Sequence, residues 1–129
     1  MVRAVSDEAG PQQDARSATR PWGAWYVLDV GDGYKLKRIE VEAGHRLSYQ
    51  THSQRSEHWL VVSGTATCVI DGRTVVVGPG EHVDVGQGVA HRVANDGDEP
   101  LVILETQLGD YTEEDDIVRL EDDYARGCE

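Results

Sequence analysis

Short apolar runs separated by glycine- and aspartate-rich turns are the feature that most limits the fold of this chain. Asp71-Gly72 lies between two of these runs and predicts a tight hairpin, because both turn residues must tolerate positive φ. Strands this short and this regularly spaced favour an antiparallel barrel or sandwich over a fold of alternating strands and helices. The predicted strands lie at 22–30, 34–41, 46–51, 57–62, 66–70, 74–77, 82–85, 91–94 and 101–108.

The two ends of the chain differ from this pattern. Residues 1–19 are polar and aperiodic, so we predict a disordered leader before a domain at 20–126 and a tail at 127–129. Near the C-terminus, Thr112 can cap a helix with Asp115 three residues on, while Ile117 and Leu120 share one helical face. These residues predict a short helix over about 114–121, packed on the barrel.

Length and charge limit the partners. The 129 residues suffice for one domain, and 12 basic against 24 acidic residues give a formal net charge of −12. We therefore expect neither nucleic acid nor an anionic membrane as a partner, since both need a basic surface. We expect Cys68 and Cys128 to be free thiols in a reducing compartment, and we expect neither a signal peptide nor a membrane span because no apolar run is long enough. This predicts a cytoplasmic location.

Four polar residues have the spacing of metal ligands. Gln50 and His52 are two positions apart and share one strand face, Glu57 opens the next strand, and His91 begins a later one. Two imidazoles, a carboxylate and an amide oxygen suit one divalent ion, with Zn²⁺ preferred over Co²⁺, Mn²⁺ or Fe²⁺. A strand histidine is otherwise a surface or core residue, and this is our interpretation of His45 and His82.

Six segments carry a family signature and follow one another in order: RPWG (20–23), YKLKR (34–38), LSYQTH (47–52), RSEHW (55–59), AHR (90–92) and EDDIVRLEDDY (114–124). Together they resemble the isomerase domain of type II mannose-6-phosphate isomerases, which usually follows a mannose-1-phosphate guanylyltransferase domain in one chain. The resemblance implies a cupin jelly-roll barrel, a divalent metal and interconversion of mannose 6-phosphate and fructose 6-phosphate. Ser53 and Gln54 stand where many members have further histidines. The chain is too short to hold a guanylyltransferase as well, so a separate guanylyltransferase is a candidate partner.

The isomerisation needs a group that carries a proton. Glu105 alternates with Ile103 on the last long strand and faces the lumen if Ile103 does, although it can also be a solvated edge carboxylate. His58 is the rival, yet its position next to Glu57 predicts that it points to the opposite face.

A sugar phosphate also needs cations. Lys35 and Lys37 share a face with Ile39, which would direct both lysines inward. Arg55 lies in the ligand loop and Arg92 follows His91; either can bind phosphate in a bidentate manner. For each of these cations, an ordinary surface position is the alternative.

Three functions remain open from the sequence. The leading one is a metal-dependent mannose-6-phosphate isomerase acting on a small sugar phosphate. The second is a cupin that binds a sugar or small acid without catalysis, as a sensor or accessory subunit. The third is a metal-dependent oxygenase, which is less favoured because an amide oxygen is a weak donor for redox iron. Edge strands that need covering predict a homodimer.

Overall fold

Two antiparallel sheets enclose the core of the protein. The computed structural model describes residues 16–124 and shows eleven strands there. The larger sheet has the order β1-β2-β3-β10-β5-β8 and the smaller one β11-β4-β9-β6-β7. The strands are β1 (Ser17–Arg20), β2 (Gly23–Gly31), β3 (Tyr34–Val41), β4 (Tyr49–Thr51), β5 (Ser56–Ser63), β6 (Ala66–Ile70), β7 (Arg73–Val77), β8 (His82–Val85), β9 (His91–Ala94), β10 (Leu101–Leu108) and β11 (Val118–Glu121).

Alternation along the strands builds this core. In β3 every second residue from Lys35 to Val41 is buried, and Leu101 and Ile103 of β10 pack on the same side. The nine predicted runs all appear as strands, β2 to β10, so the all-β jelly-roll prediction is confirmed. Asp71 and Gly72 have φ values of 53° and 80°, as the hairpin between β6 and β7 requires.

The first strand begins earlier than the sequence indicates. β1 pairs with β2 from Ser17↔Tyr26 to Arg20↔Gly23, and Ala18 packs against the core. Residues 17–19, assigned above to the leader, are therefore part of the larger sheet. The rest of the predicted leader up to residue 15, and the tail at 127–129, lie outside the described residues.

The predicted helix at 114–121 is wrong. Val118–Glu121 forms the strand β11, which pairs with β4 through Val118↔Thr51 and Arg119↔Gln50. Pairing with a distant strand overrides the local spacing of Ile117 and Leu120, and Leu120 is exposed. Within residues 16–124 no helix has the length and hydropathy needed to cross a membrane.

Candidate metal centre and ligand cavity

His52, Glu57 and His91 converge inside the barrel. His52 follows β4, Glu57 lies in β5 and His91 opens β9, so three separate strands supply them. One ligand atom from each lies within 4.8 Å of the others, and the residues are only 3–4% exposed. His52 Nε2 is 3.2 Å from Glu57 Oε2, and His91 Nε2 is 3.9 Å from Glu57 Oε1. The sequence prediction that these three residues meet is confirmed.

Both histidine rings are oriented by backbone carbonyls. His52 Nδ1 lies 2.6 Å from the Asp116 oxygen, and His91 Nδ1 lies 2.9 Å from the Val89 oxygen. A ring that donates from Nδ1 presents a bare Nε2, which is the atom a metal binds. Burial and then the charge of Arg55 lower the pKa of His52 to about 4, so its ring is neutral near pH 7. The donor set therefore fits a divalent cation such as Zn²⁺.

Gln50, the fourth predicted ligand, lines the same lumen. It lies directly opposite His91 in the pairing of β4 with β9. Its amide nitrogen donates to Ser48 Oγ at 2.8 Å, so the amide oxygen is the atom that can act as a ligand. Gln50 as a ligand remains a prediction.

Glu57 is held in its charged form by the residues around it. Oε2 accepts a hydrogen bond from Arg55 Nε at 2.8 Å, and Oε1 accepts one from Trp59 Nε1 at 2.9 Å. Burial opposes the charge, but Arg55 and the hydrogen bonds outweigh it and lower the pKa of Glu57. An ionised carboxylate is the form that ligates a metal.

Arg55 lies inside this group rather than at a free surface. Its Nη2 is 3.2 Å from His52 Nε2, and its Nη1 donates to the Glu113 carbonyl at 3.4 Å. The guanidinium is thus engaged with two of the candidate ligands, Glu57 and His52. Its predicted role as a phosphate contact would require it to exchange these partners.

Glu105 faces the lumen, as Ile103 does. It lines the same cavity as His52, and its carboxyl group lies close enough to that of Glu57 for each to shift the pKa of the other. Gln107 Nε2 donates to Glu105 Oε1 at 2.9 Å, which orients the group. Burial, followed by the charge of Glu57, raises the pKa of Glu105. The pKa of Glu57 is thus lowered and that of Glu105 is raised. Such a pair is suited to metal ligation by Glu57 and proton transfer by Glu105.

His58, the rival proton carrier, is not brought to the lumen. It neighbours Glu57 in β5 and therefore points to the opposite face of the sheet. Its Nδ1 bonds Asp84 Oδ1 at 2.7 Å on the outer surface, where the side chain is 40% exposed. His58 is absent from the two lumen cavities of the described residues, so it has no place in this site.

The other three predicted phosphate contacts are buried, as the strand pattern required, but each already has a partner. Lys35 donates to the Thr112 carbonyl at 2.7 Å, and burial lowers its pKa. Lys37 donates to Glu114 at 2.9 Å. Arg92 Nε donates to the Leu47 carbonyl at 3.0 Å, while its Nη2 is buried without a hydrogen-bond partner beside the smaller cavity. Of the three, only Lys37 lines the larger cavity.

A cavity of about 180 Å³ opens beside His52 and Gln50. Arg20 from β1 and Arg119 from β11 line it, and sequence reasoning assigned neither to the site. Glu114, which belongs to the segment predicted above to be a helix, also lines it. The signal that could have found these residues was the resemblance itself, which covers RPWG at 20–23 and the 114–124 segment. Four cationic side chains line this cavity in a chain of net charge −12: Arg20, Lys37, Arg55 and Arg119.

The fold and the buried His-His-Glu group together define a cupin. The cupin domain of Schizosaccharomyces pombe Cnp3 superposes with a TM-score of 0.65 at 13% identity, over 78% of this chain and 70% of that one. A proposed sugar phosphate isomerase from Acidithiobacillus ferrooxidans superposes with a TM-score of 0.58 at 25% identity, over 68% of this chain and 61% of that one.

The chain belongs to the family of mannose-6-phosphate isomerase C-terminal domains, whose model matches residues 7–122. Mannose-1-phosphate guanylyltransferase of Escherichia coli K12 is 45% identical over 86% of this chain. The alginate biosynthesis protein AlgA of Pseudomonas aeruginosa is 46% identical over 85% of it. In each case the match spans 23% of the relative's length, so the chain corresponds to under a quarter of these proteins. The resemblance inferred from sequence is confirmed.

Proposed function

We propose that this protein is a metal-dependent isomerase that interconverts mannose 6-phosphate and fructose 6-phosphate. The observation that supports it is the cavity of about 180 Å³, where His52, Glu105 and four cationic side chains meet. Isomerisation of a sugar phosphate needs these three components: a site for an electrophile, a proton carrier and a counter-charge for phosphate. The family and the similarity to a proposed sugar phosphate isomerase support the same reaction class.

The metal ligands proposed are His52, Glu57 and His91, with Gln50 as the fourth. When bound there, a divalent ion such as Zn²⁺ supplies Lewis acidity to the sugar oxygens at C1 and C2. The protein's own contribution is to orient both rings through the carbonyls of Asp116 and Val89, to keep the His52 ring neutral and to keep Glu57 ionised.

Glu105 is proposed to move the proton between the two carbons. In the forward direction it removes the proton on C2 of open-chain mannose 6-phosphate and returns it to C1, while the hydroxyl proton passes from O2 to O1. Gln107 fixes one oxygen of Glu105, and Lys37 lies directly opposite Glu105 across the β3–β10 pairing. The carboxyl group is therefore held in position on a rigid strand, next to both a cation and Glu57.

The phosphate group is proposed to bind among the cations of the cavity. Arg20 and Arg119 approach from β1 and β11, and Lys37 lies deeper, on β3. Their concentration in one cavity of a strongly acidic chain favours an anionic ligand over a neutral one. Lys35, Lys37 and Arg55 would bind phosphate only after leaving the partners described above, whereas the unpartnered Nη2 of Arg92 lies beside the smaller cavity.

A second candidate function is binding of a sugar or sugar phosphate without catalysis, as an accessory to a guanylyltransferase. The Escherichia coli relative is named only for the guanylyltransferase reaction, although this chain matches 23% of it. A domain of this family can therefore occur in a protein known by another activity, and the metal-competent cavity would then serve recognition alone.

A coupled assay for fructose 6-phosphate, with Zn²⁺, Co²⁺, Mn²⁺ or Fe²⁺ supplied, tests the proposal. We expect turnover by the wild type, none by His52→Ala, and wild-type turnover by His58→Ala, which removes a histidine from the outer face of β5. Saturable binding of mannose 6-phosphate without turnover under any metal would contradict the isomerase and favour the accessory function. Neither binding nor turnover would contradict both.

A further inference from the structure

The carboxylate of Glu114 pairs with the buried ammonium group of Lys37 at the larger cavity. Its Oε2 lies 2.9 Å from Lys37 Nζ and 3.9 Å from Lys35 Nζ, within the larger cavity. The lysine side chains are 5% and 10% exposed, whereas that of Glu114 is 47% exposed. The two ammonium groups are thus buried, whereas the carboxylate beside them faces solvent.

The ammonium group of Lys37 has little other free surface. One side lies over the ring of Trp25, with Nζ 4.1 Å from the ring centroid. The strand pairings place Val27 and Glu105 on either side of Lys37 in the sheet. An anionic group that reaches Nζ from the cavity must therefore take the position of the Glu114 carboxylate.

Glu114 can leave this position without disrupting the segment that carries it. The segment between β10 and β11 is anchored by other groups: the Thr112 carbonyl accepts from Lys35, and Asp116 accepts from the backbone nitrogens of Ser53 and Gln54. None of these contacts uses the Glu114 side chain. A half-exposed glutamate between two anchors can change rotamer at small cost.

We propose that Glu114 is a specificity-determining residue that stands in for the phosphate group of the ligand and is exchanged for it on Lys37. The identification of the ligand as a sugar phosphate rests on the proposed function. A phosphate dianion has more charge and more acceptor oxygens than a carboxylate, so it displaces Glu114. A neutral sugar has neither and leaves the ion pair closed. The exchange therefore discriminates in favour of phosphorylated sugars.

Isothermal titration of the full chain with inorganic phosphate tests the exchange directly. In Glu114→Gln the competing charge is removed and the shape is kept, so phosphate affinity should rise about tenfold, equivalent to about 1.4 kcal/mol. Asp110→Asn is the matched control: it removes one negative charge four residues earlier, from a side chain that forms no salt bridge with either lysine among the described residues, and should change the affinity less than twofold. Lys37→Met should abolish the gain when combined with Glu114→Gln.

Unchanged or weaker phosphate binding in Glu114→Gln would overturn the inference, as would an equal gain in Asp110→Asn or no binding by any variant. Thermal denaturation checks folding, and Glu114→Ser takes the place of Glu114→Gln if the latter unfolds. The outcome is independent of turnover. An inactive protein that shows the exchange would contradict the isomerase alone, whereas an active protein without the exchange would contradict only the role of Glu114.

Discussion

The ring of His52 is fixed by the backbone of Asp116, with Nδ1 and the carbonyl oxygen 2.6 Å apart. The carboxylate of Asp116 accepts hydrogen bonds from the nitrogens of Ser53 and Gln54 at 2.9 and 2.8 Å. Asp116, which precedes β11, therefore orients the candidate ligand His52 and also holds the loop that follows His52. The acidic segment near the C-terminus is part of the metal centre's support.

Removal of this support should weaken metal binding while all the ligands remain. We expect Asp116→Ala to lower Zn²⁺ affinity by about tenfold or more, because the loop after His52 loses three hydrogen bonds. Titration of the metal-free protein with Zn²⁺ measures this affinity. Asp115→Ala is the control, since the Asp115 carboxylate contacts Tyr111 instead. Equal losses in the two variants would contradict the role of Asp116.

Replacement of the Glu105 carboxyl group should lower the turnover rate and leave the metal content of the protein unchanged. We expect Glu105→Gln to lower kcat at least about 100-fold, since a positioned acid–base group contributes that much. The amide keeps the size of the side chain and the contact with Gln107. Metal content by elemental analysis should stay at the wild-type level. A kcat close to that of the wild type would exclude Glu105 as the proton carrier.

The buried ring of His52 should make the metal-free protein sensitive to acid. Its pKa falls from 6.5 to about 4 on folding, so between these values the unfolded chain binds a proton that the folded chain excludes. Stability is therefore fully present above pH 6.5 and decreases as the pH falls towards 4, by up to about 3 kcal/mol. Urea denaturation at a series of pH values in this range gives the free energy of unfolding, which should fall less steeply with decreasing pH in His52→Gln than in the wild type. An equal pH dependence of the unfolding free energy in the two proteins would contradict a buried neutral ring.

The edge of the smaller sheet should carry the predicted dimer interface. β7 is an edge strand whose Val75 and Val76 are 40% and 61% exposed. An apolar edge with unpaired backbone groups favours association. Light scattering after size exclusion should give the mass of a dimer, and Val76→Lys should shift it to the monomer. A monomeric wild type would refute the homodimer, and a dimeric Val76→Lys would place the interface elsewhere.

Local patterns were sufficient for most of the fold and for the centre of the site. Alternation in β3 and β10 indicated which side chains enter the lumen, including Lys37 and Glu105. Residues two positions apart share a strand face, which predicts that Gln50 and His52 lie on the same side, and both line the larger cavity. Strand periodicity fixes which face a residue occupies, and it failed for none of these positions.

The contacts that depend on long-range pairing could not be read from local patterns. Ile117 and Leu120 have helical spacing, yet Val118–Glu121 pairs with β4, more than sixty residues away. That pairing brings Arg119 and Glu114 to the cavity. β1 likewise brings Arg20 there, in a strand whose first three residues were assigned to the leader. In each case the partner strand, and not the segment's own sequence, determines the structure.

The most direct test of the isomerase is proton exchange in heavy water. Mannose 6-phosphate is incubated in D₂O with metal-loaded protein and followed by NMR. We expect fructose 6-phosphate carrying deuterium at C1 and recovered mannose 6-phosphate carrying deuterium at C2, with both signals lost in Glu105→Gln. Folded, metal-loaded wild-type protein that leaves the C2 proton of mannose 6-phosphate in place and forms no fructose 6-phosphate would contradict the proposed isomerase.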